Sequence, residues 1–115
     1  MSYDIRLFRK EAKEKYYQAK EDFFEDENNL VNFSEEQKEK LKNRLLTYNY
    51  CIENENEFGI HFAFINDESI EAILGKNCLF FSSTGEGVFE ISMTSSEFTD
   101  SGEFVKFDPQ NNSWE

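Results

Sequence analysis

Every second residue from Phe58 to Phe64 is large and apolar: Phe58, Ile60, Phe62 and Phe64 alternate with Gly59, His61 and Ala63. A period of two marks a β-strand, because successive side chains leave a pleated chain on opposite faces. Phe58 to Ile65 therefore reads as a strand with one core face and one lighter face of Gly, His and Ala. Nine of the 13 phenylalanines lie from Phe58 onward, so the core is expected to close around this half.

The same reasoning extends along the second half. Val88 to Thr94 predicts a strand with Phe89, Ile91 and Met93 inward and Glu90, Ser92 and Thr94 outward. Ile70–Leu74 and Cys78–Ser82 flank Gly75-Lys76-Asn77, the length and composition of a three-residue hairpin loop, although Ser69 to Leu74 also fits one helical turn. Thr84-Gly85-Glu86-Gly87 predicts the next turn and Glu103 to Phe107 the last strand. Such short connections imply antiparallel pairing, since parallel strands need long crossovers.

Ahead of this sheet, Ser2 to Phe8 alternates Tyr3, Ile5 and Leu7 with Asp4 and Arg6, which predicts a half-buried strand. The period then changes. Phe8, Ala12, Tyr16, Ala19 and Phe23 recur at three and four, so a helix is expected from Arg9 to about Asp26. Glu25 to Asn29 is acidic, but it lacks the central Gly of a calcium-binding loop and reads as a solvated connection. Ser34-Glu35-Glu36-Gln37 is a capping box that starts a second helix running to about Tyr48, with Leu41, Leu45, Tyr48 and Ile52 in register and Leu46 alongside. Glu53 to Glu57 is too polar to pack, and so a connector or a solvated strand start. In the tail, Asp108-Pro109-Gln110 signals a turn, after which Trp114 is expected to fold back onto the sheet.

The fold expected is α+β in a single domain over residues 1–115: an N-terminal strand, two helices, then an antiparallel sheet of four to five strands with the helices on one face. No apolar stretch reaches bilayer length and no signal-like run opens the chain, which predicts a soluble cytoplasmic protein that does not engage a membrane. Cys51 and Cys78 lack CxxC spacing and are expected to be buried reduced thiols.

Chemistry is sparse. The single histidine, His61, would have to serve any Cys-His or Ser-His pair, and a lone strand histidine is ordinarily structural. No ligand set for zinc is spaced for binding, and Gly85-Glu86-Gly87 is only a fragment of a phosphate loop. The expectation is no enzyme and no cofactor.

Charge is the outlier. Lys and Arg number 12 against 24 Asp and Glu, giving −12, and residues 58–115 hold ten carboxylates against Lys76 and Lys106 alone. Such a field repels nucleic acid and attracts basic protein surfaces. Asp67, Glu68, Glu71, Glu86, Glu90, Glu97 and Asp100 fall at turns or outward positions, with Phe98 among them as a candidate exposed anchor. Carboxylates around an aromatic ring form the pattern that steers and then grips a basic protein.

Ser2-Tyr3-Asp4-Ile5 at the start, Phe58-Gly59, Phe89-Glu90-Ile91-Ser92 and the closing Asp108-Pro109-Gln110 resemble a family of small uncharacterised bacterial proteins that open with this strand and end in an Asp-Pro-Gln turn. In size, acidity and absence of chemistry the chain also resembles bacterial toxin immunity proteins. That resemblance implies direct inhibitory binding to a basic toxin, for instance a nuclease, and carries no residue roles with it. The alternative is a self-associating structural or regulatory module, a homodimer joined through an exposed strand edge.

Overall fold

Residues 3–18, 32–57, 59–84, 87–100, 102–108 and 113–114 are described by a computed structural model. Tyr3–Arg9 forms strand β1, which leads directly into helix α1 (Lys10–Gln18). Helix α2 (Glu35–Thr47) follows, then strands β2 (Tyr50–Asn56), β3 (Gly59–Phe64), β4 (Ile70–Leu74) and β5 (Leu79–Ser83). Helix α3 (Val88–Glu97), strand β6 (Phe104–Asp108) and the two-residue strand β7 (Ser113–Trp114) complete the order. The strands make one sheet in the order β2-β3-β4-β5-β1-β6-β7, antiparallel at every pairing.

β1 is therefore central. Ile5 lies opposite Phe81 on one side, and Arg6 opposite Phe107 on the other. Alternation then sorts the two faces. Ile5 and Leu7, with Phe62, Phe64, Ile70, Ala72, Leu74, Leu79 and Phe81, form the main core, closed by Leu41 and Leu45 of α2 and Ile91 and Phe98 of α3. The opposite face carries a smaller cluster in which Phe8 and Phe107 pack on Ala12 of α1. Trp114 folds back onto this cluster, its ring 4.8 Å from Phe107 and 5.7 Å from Phe8.

The α+β class and the antiparallel sheet agree with the sequence reading, as do the Ile70–Leu74 hairpin and the capping box at Ser34. There the Ser34 hydroxyl accepts from the Gln37 amide at 3.1 Å, while the Gln37 side chain accepts from the Ser34 amide at 2.9 Å.

Several expectations are corrected. Val88 to Thr94 is helical: the buried positions Ile91, Thr94, Ser95 and Phe98 follow helical spacing, and two of these inward residues are small and polar, which hides the apolar stripe. The described chain has three helices instead of two, and they cover both faces of the sheet, because α1 follows β1 onto the side of Phe8. Among the described residues the sheet has seven strands, where the N-terminal strand and four to five more were expected. The addition on one edge is β2, where Ile52 sits exposed in a strand instead of continuing α2 and Cys51 is an exposed thiol. The helix ends before it because Asn49 takes a left-handed conformation, φ 71°, which Asn tolerates better than most residues. The far end of the first predicted helix, with Ala19 and Phe23, and the acidic run at Glu25 to Asn29 lie outside the described residues, as does Phe58.

Gly59 shows why one position in β3 admits no side chain. Its φ is +139°, and a Cβ there would strike the carbonyl oxygen of Leu74 on the neighbouring strand. Gly59→Ala is expected to lower stability by about 2–4 kcal/mol, seen as a reduced midpoint in urea unfolding. Tyr50 gives the contrasting case. It is buried against Phe64 and Phe81, and its hydroxyl finds no acceptor among the described residues. Tyr50→Phe is therefore expected to unfold at the same or a higher urea concentration, since the deleted group makes no hydrogen bond to lose.

Candidate functional site

Helix α3 organises the surface with most potential for contact. Its N-terminal Gly87 is pressed against the sheet: an added Cβ would lie 2.5 Å from Ile70 Cγ1 and 2.6 Å from Ser83 Oγ. Starting so close, the helix turns Ile91, Thr94, Ser95 and Phe98 inward and leaves Phe89 76% and Met93 47% exposed. Positions 89, 93 and 97 lie one turn apart, so Phe89, Met93 and exposed Glu97 form one outer stripe.

Lys106 of β6 fixes the helix from below. Its buried Nζ donates to Ser92 O and Ser92 Oγ at 3.2 Å each, and to Ser96 Oγ at 2.9 Å. A buried ammonium is tolerated only when it is solvated by such acceptors.

The C-terminal end is fixed by Arg44 of α2. Its guanidinium donates to both carboxylate oxygens of Asp100, at 3.0 and 3.4 Å, and to the carbonyl oxygen of Glu97 at 3.1 Å. It also lies 4.7 Å from the centre of the Phe98 ring. Burial disfavours the Arg44 charge, but hydrogen bonds to Tyr48 and Asp100 outweigh it and hold the pKa above its ordinary value. A cation at a helix C-terminus also meets the negative end of the helix dipole.

These contacts reassign the expected binding residues. Phe98 is fully buried, stacked edge-on to Phe81 and tilted against Tyr48, because it closes the inward stripe of α3; it is not an exposed anchor. Phe89, which a strand would have turned inward, is the exposed ring. Asp100 is already engaged by Arg44. Glu71 is exposed between buried Ile70 and Ala72, and so projects from the sheet face opposite α3.

Asp67 and Glu68 sit in the turn before β4, where the Asp67 carbonyl accepts from the Ile70 amide at 3.2 Å. Since Gly87 packs on Ile70, this turn and the first turn of α3 share one end of the sheet. Half-buried Glu90 belongs to that end, close enough to Tyr50 to add to the effect of burial in raising its phenol pKa. Ile65, 65% exposed, lies on the preceding turn. The structure thus brings Asp67, Glu68 and Glu90 to one end, with Glu97 a helix length away. Glu86 lies outside the described residues. Spacings of four and three at Ile91, Ser95 and Phe98 were the signal for this arrangement, obscured by serine at the middle position.

His61 and Cys51 share a sheet face, Cys51 opposite Ala63 and His61 opposite Asn54, but no hydrogen bond joins them. The Cys78 thiol is pushed up to about 12 by burial, with Arg6 acting weakly the other way. Among the described residues no group of three or more His, Cys, Asp or Glu is placed to hold a metal ion, and no helix is long and apolar enough to cross a membrane.

Comparison with known proteins adds no relative. No protein-family model, curated protein or solved structure matches the chain. The site is therefore read from its own geometry.

Two solution measurements check that geometry. Ser69 donates to Asp67 Oδ1 from its hydroxyl at 2.7 Å and its amide at 2.9 Å, and these bonds lower the Asp67 pKa below the usual carboxylate value. Ser69→Ala, which removes the larger of the two effects, is expected to move the Asp67 midpoint upward in a carboxyl NMR titration. With a depressed folded-state pKa, the stabilisation is present above the unfolded pKa and is lost as pH falls through the folded one. A thiol assay at pH 8 is expected to find Cys51 reactive in the folded chain and Cys78 reactive only after unfolding.

Proposed function

We propose that this protein is an acidic binding module that masks a basic surface of a partner protein, in the manner of an immunity protein directed at a toxin. The observation that carries the reading is the outer stripe of α3. Phe89 is exposed over most of its surface, Met93 stands one turn on, and Glu90 and Glu97 flank them. Scattered single apolar residues are ordinary on protein surfaces, but a ring and a thioether at i and i+4 beside carboxylates suit a different role.

The carboxylates and the net charge of −12 raise the encounter rate with a basic surface, and the ring and thioether supply area that is desolvated once contact is made. Anchoring of α3 by Lys106 and Arg44 supports the reading further, because a rigid contact surface loses little conformational freedom on binding.

The test is a pull-down with the intact chain as bait, washed at low and at high salt. A stoichiometric basic partner that is lost at high salt is the expected result. Phe89→Ala and Glu90→Lys are each expected to weaken its binding by about tenfold or more, with unchanged circular dichroism. Retention of full affinity by both variants would remove α3 from the interface.

A further inference from the structure

The two edges of the sheet are built differently. One ends in β7, two residues long; the other ends in β2, seven residues long, of which all but Tyr50 are exposed. β2 occupies the last place in the strand order, so among the described residues no strand lies beyond it. The Asn49 carbonyl accepts from the Ile65 amide at 2.8 Å, and the register continues with Tyr50 opposite Phe64 and Cys51 opposite Ala63. Residues bonded across an antiparallel pair alternate with residues that are not. Asn49 and Cys51 therefore face β3 with their backbone groups, and Ile52 turns its N–H and C=O outward beside its exposed side chain.

We propose that β2 is a docking edge that receives a basic extended segment of a partner protein as an added strand. The charge pattern selects the occupant. Glu53, Glu55 and Glu57 are exposed along this edge, and residues 50–57 contain no Lys or Arg. An antiparallel second copy would set these glutamates against the same glutamates, which costs stability, whereas a strand carrying Lys or Arg meets opposite charge at the cross-strand distance. Backbone pairing supplies affinity in such strand addition, and the side chains supply selectivity. The bulge at Glu53, where the register shifts between Ile52 and Asn54, places an extra carboxylate midway along the edge. The inference shares with the reading above only the basic character of the partner, and it stands on other residues.

The probes are three short capped peptides: alternating Lys and Val, alternating Glu and Val, and the Lys-Val sequence N-methylated at two adjacent central residues so that neither edge pairs. Amide hydrogen exchange and chemical shifts of the isotope-labelled full chain report on binding. The Lys-Val peptide is expected to bind more weakly as salt rises, to slow exchange at Ile52, and to shift the signals of Cys51 to Glu57. The N-methylated peptide is expected to lose about tenfold or more in affinity, and a Glu53→Lys, Glu55→Lys chain to prefer the Glu-Val peptide. Phe89→Ala is expected to leave peptide binding unchanged.

Equal binding of the N-methylated peptide would show charge attraction without strand pairing and overturn the proposal. Shifts confined to α3 would overturn it while leaving the α3 reading intact. Dimerisation of the unmodified chain through β2, read by sedimentation and by protection of Ile52 without peptide, would show that a second copy is the occupant and would also overturn it.

Discussion

The pairing of β1 between β5 and β6 is the constraint on which the rest of the structure depends. Without it the sheet divides into a four-strand meander, β2 to β5, and a small remnant of β6 and β7. Each hairpin of the meander closes over a short loop, but β1 meets partners some 75 and 100 residues away in sequence. Ordering so distant a contact costs chain entropy before any burial compensates for it. The compensation is the row Phe62, Ala72, Phe81 and Ile5, fully buried side by side under the helices. Because β1 is sandwiched, its two faces feed two cores, one under α2 and α3 and one under α1.

Within this frame α3 is held by polar contacts as well as apolar ones. Its buried face includes Thr94 and Ser95, so Ile91 and Phe98 alone give it a modest grip on the sheet. Lys106 from below and Arg44 from the side compensate, one through three hydrogen bonds to serine groups, the other through Asp100 and the last helical carbonyl. The Phe89 ring on the outer surface lies outside both core clusters. This separation makes the outer face around Phe89 a candidate for contact.

Much of the fold was legible where the chain follows its own local preferences. β1, β3 and the β4–β5 hairpin alternate cleanly, and the capping box at Ser34 placed the start of α2. The failures have two physical causes. In α3 the period of two at Phe89, Ile91 and Met93 spans three positions only, and small polar residues take inward places that a reader assigns to apolar ones. In β2, Glu and Asn have little preference for strands; the segment is a strand because β3 offers it hydrogen-bonding partners. The acidic positions were legible as a set, but their grouping was not. Which sheet face Glu71 takes, and that Asp100 is held by Arg44, follow from tertiary placement.

The guard on the long edge of the sheet is made of glutamates. Two copies meeting edge to edge would set Glu53, Glu55 and Glu57 against like charge, which disfavours that pairing. The side chains that would choose a partner are thus the same ones that set a copy of this chain at a distance, with no change required in the fold itself.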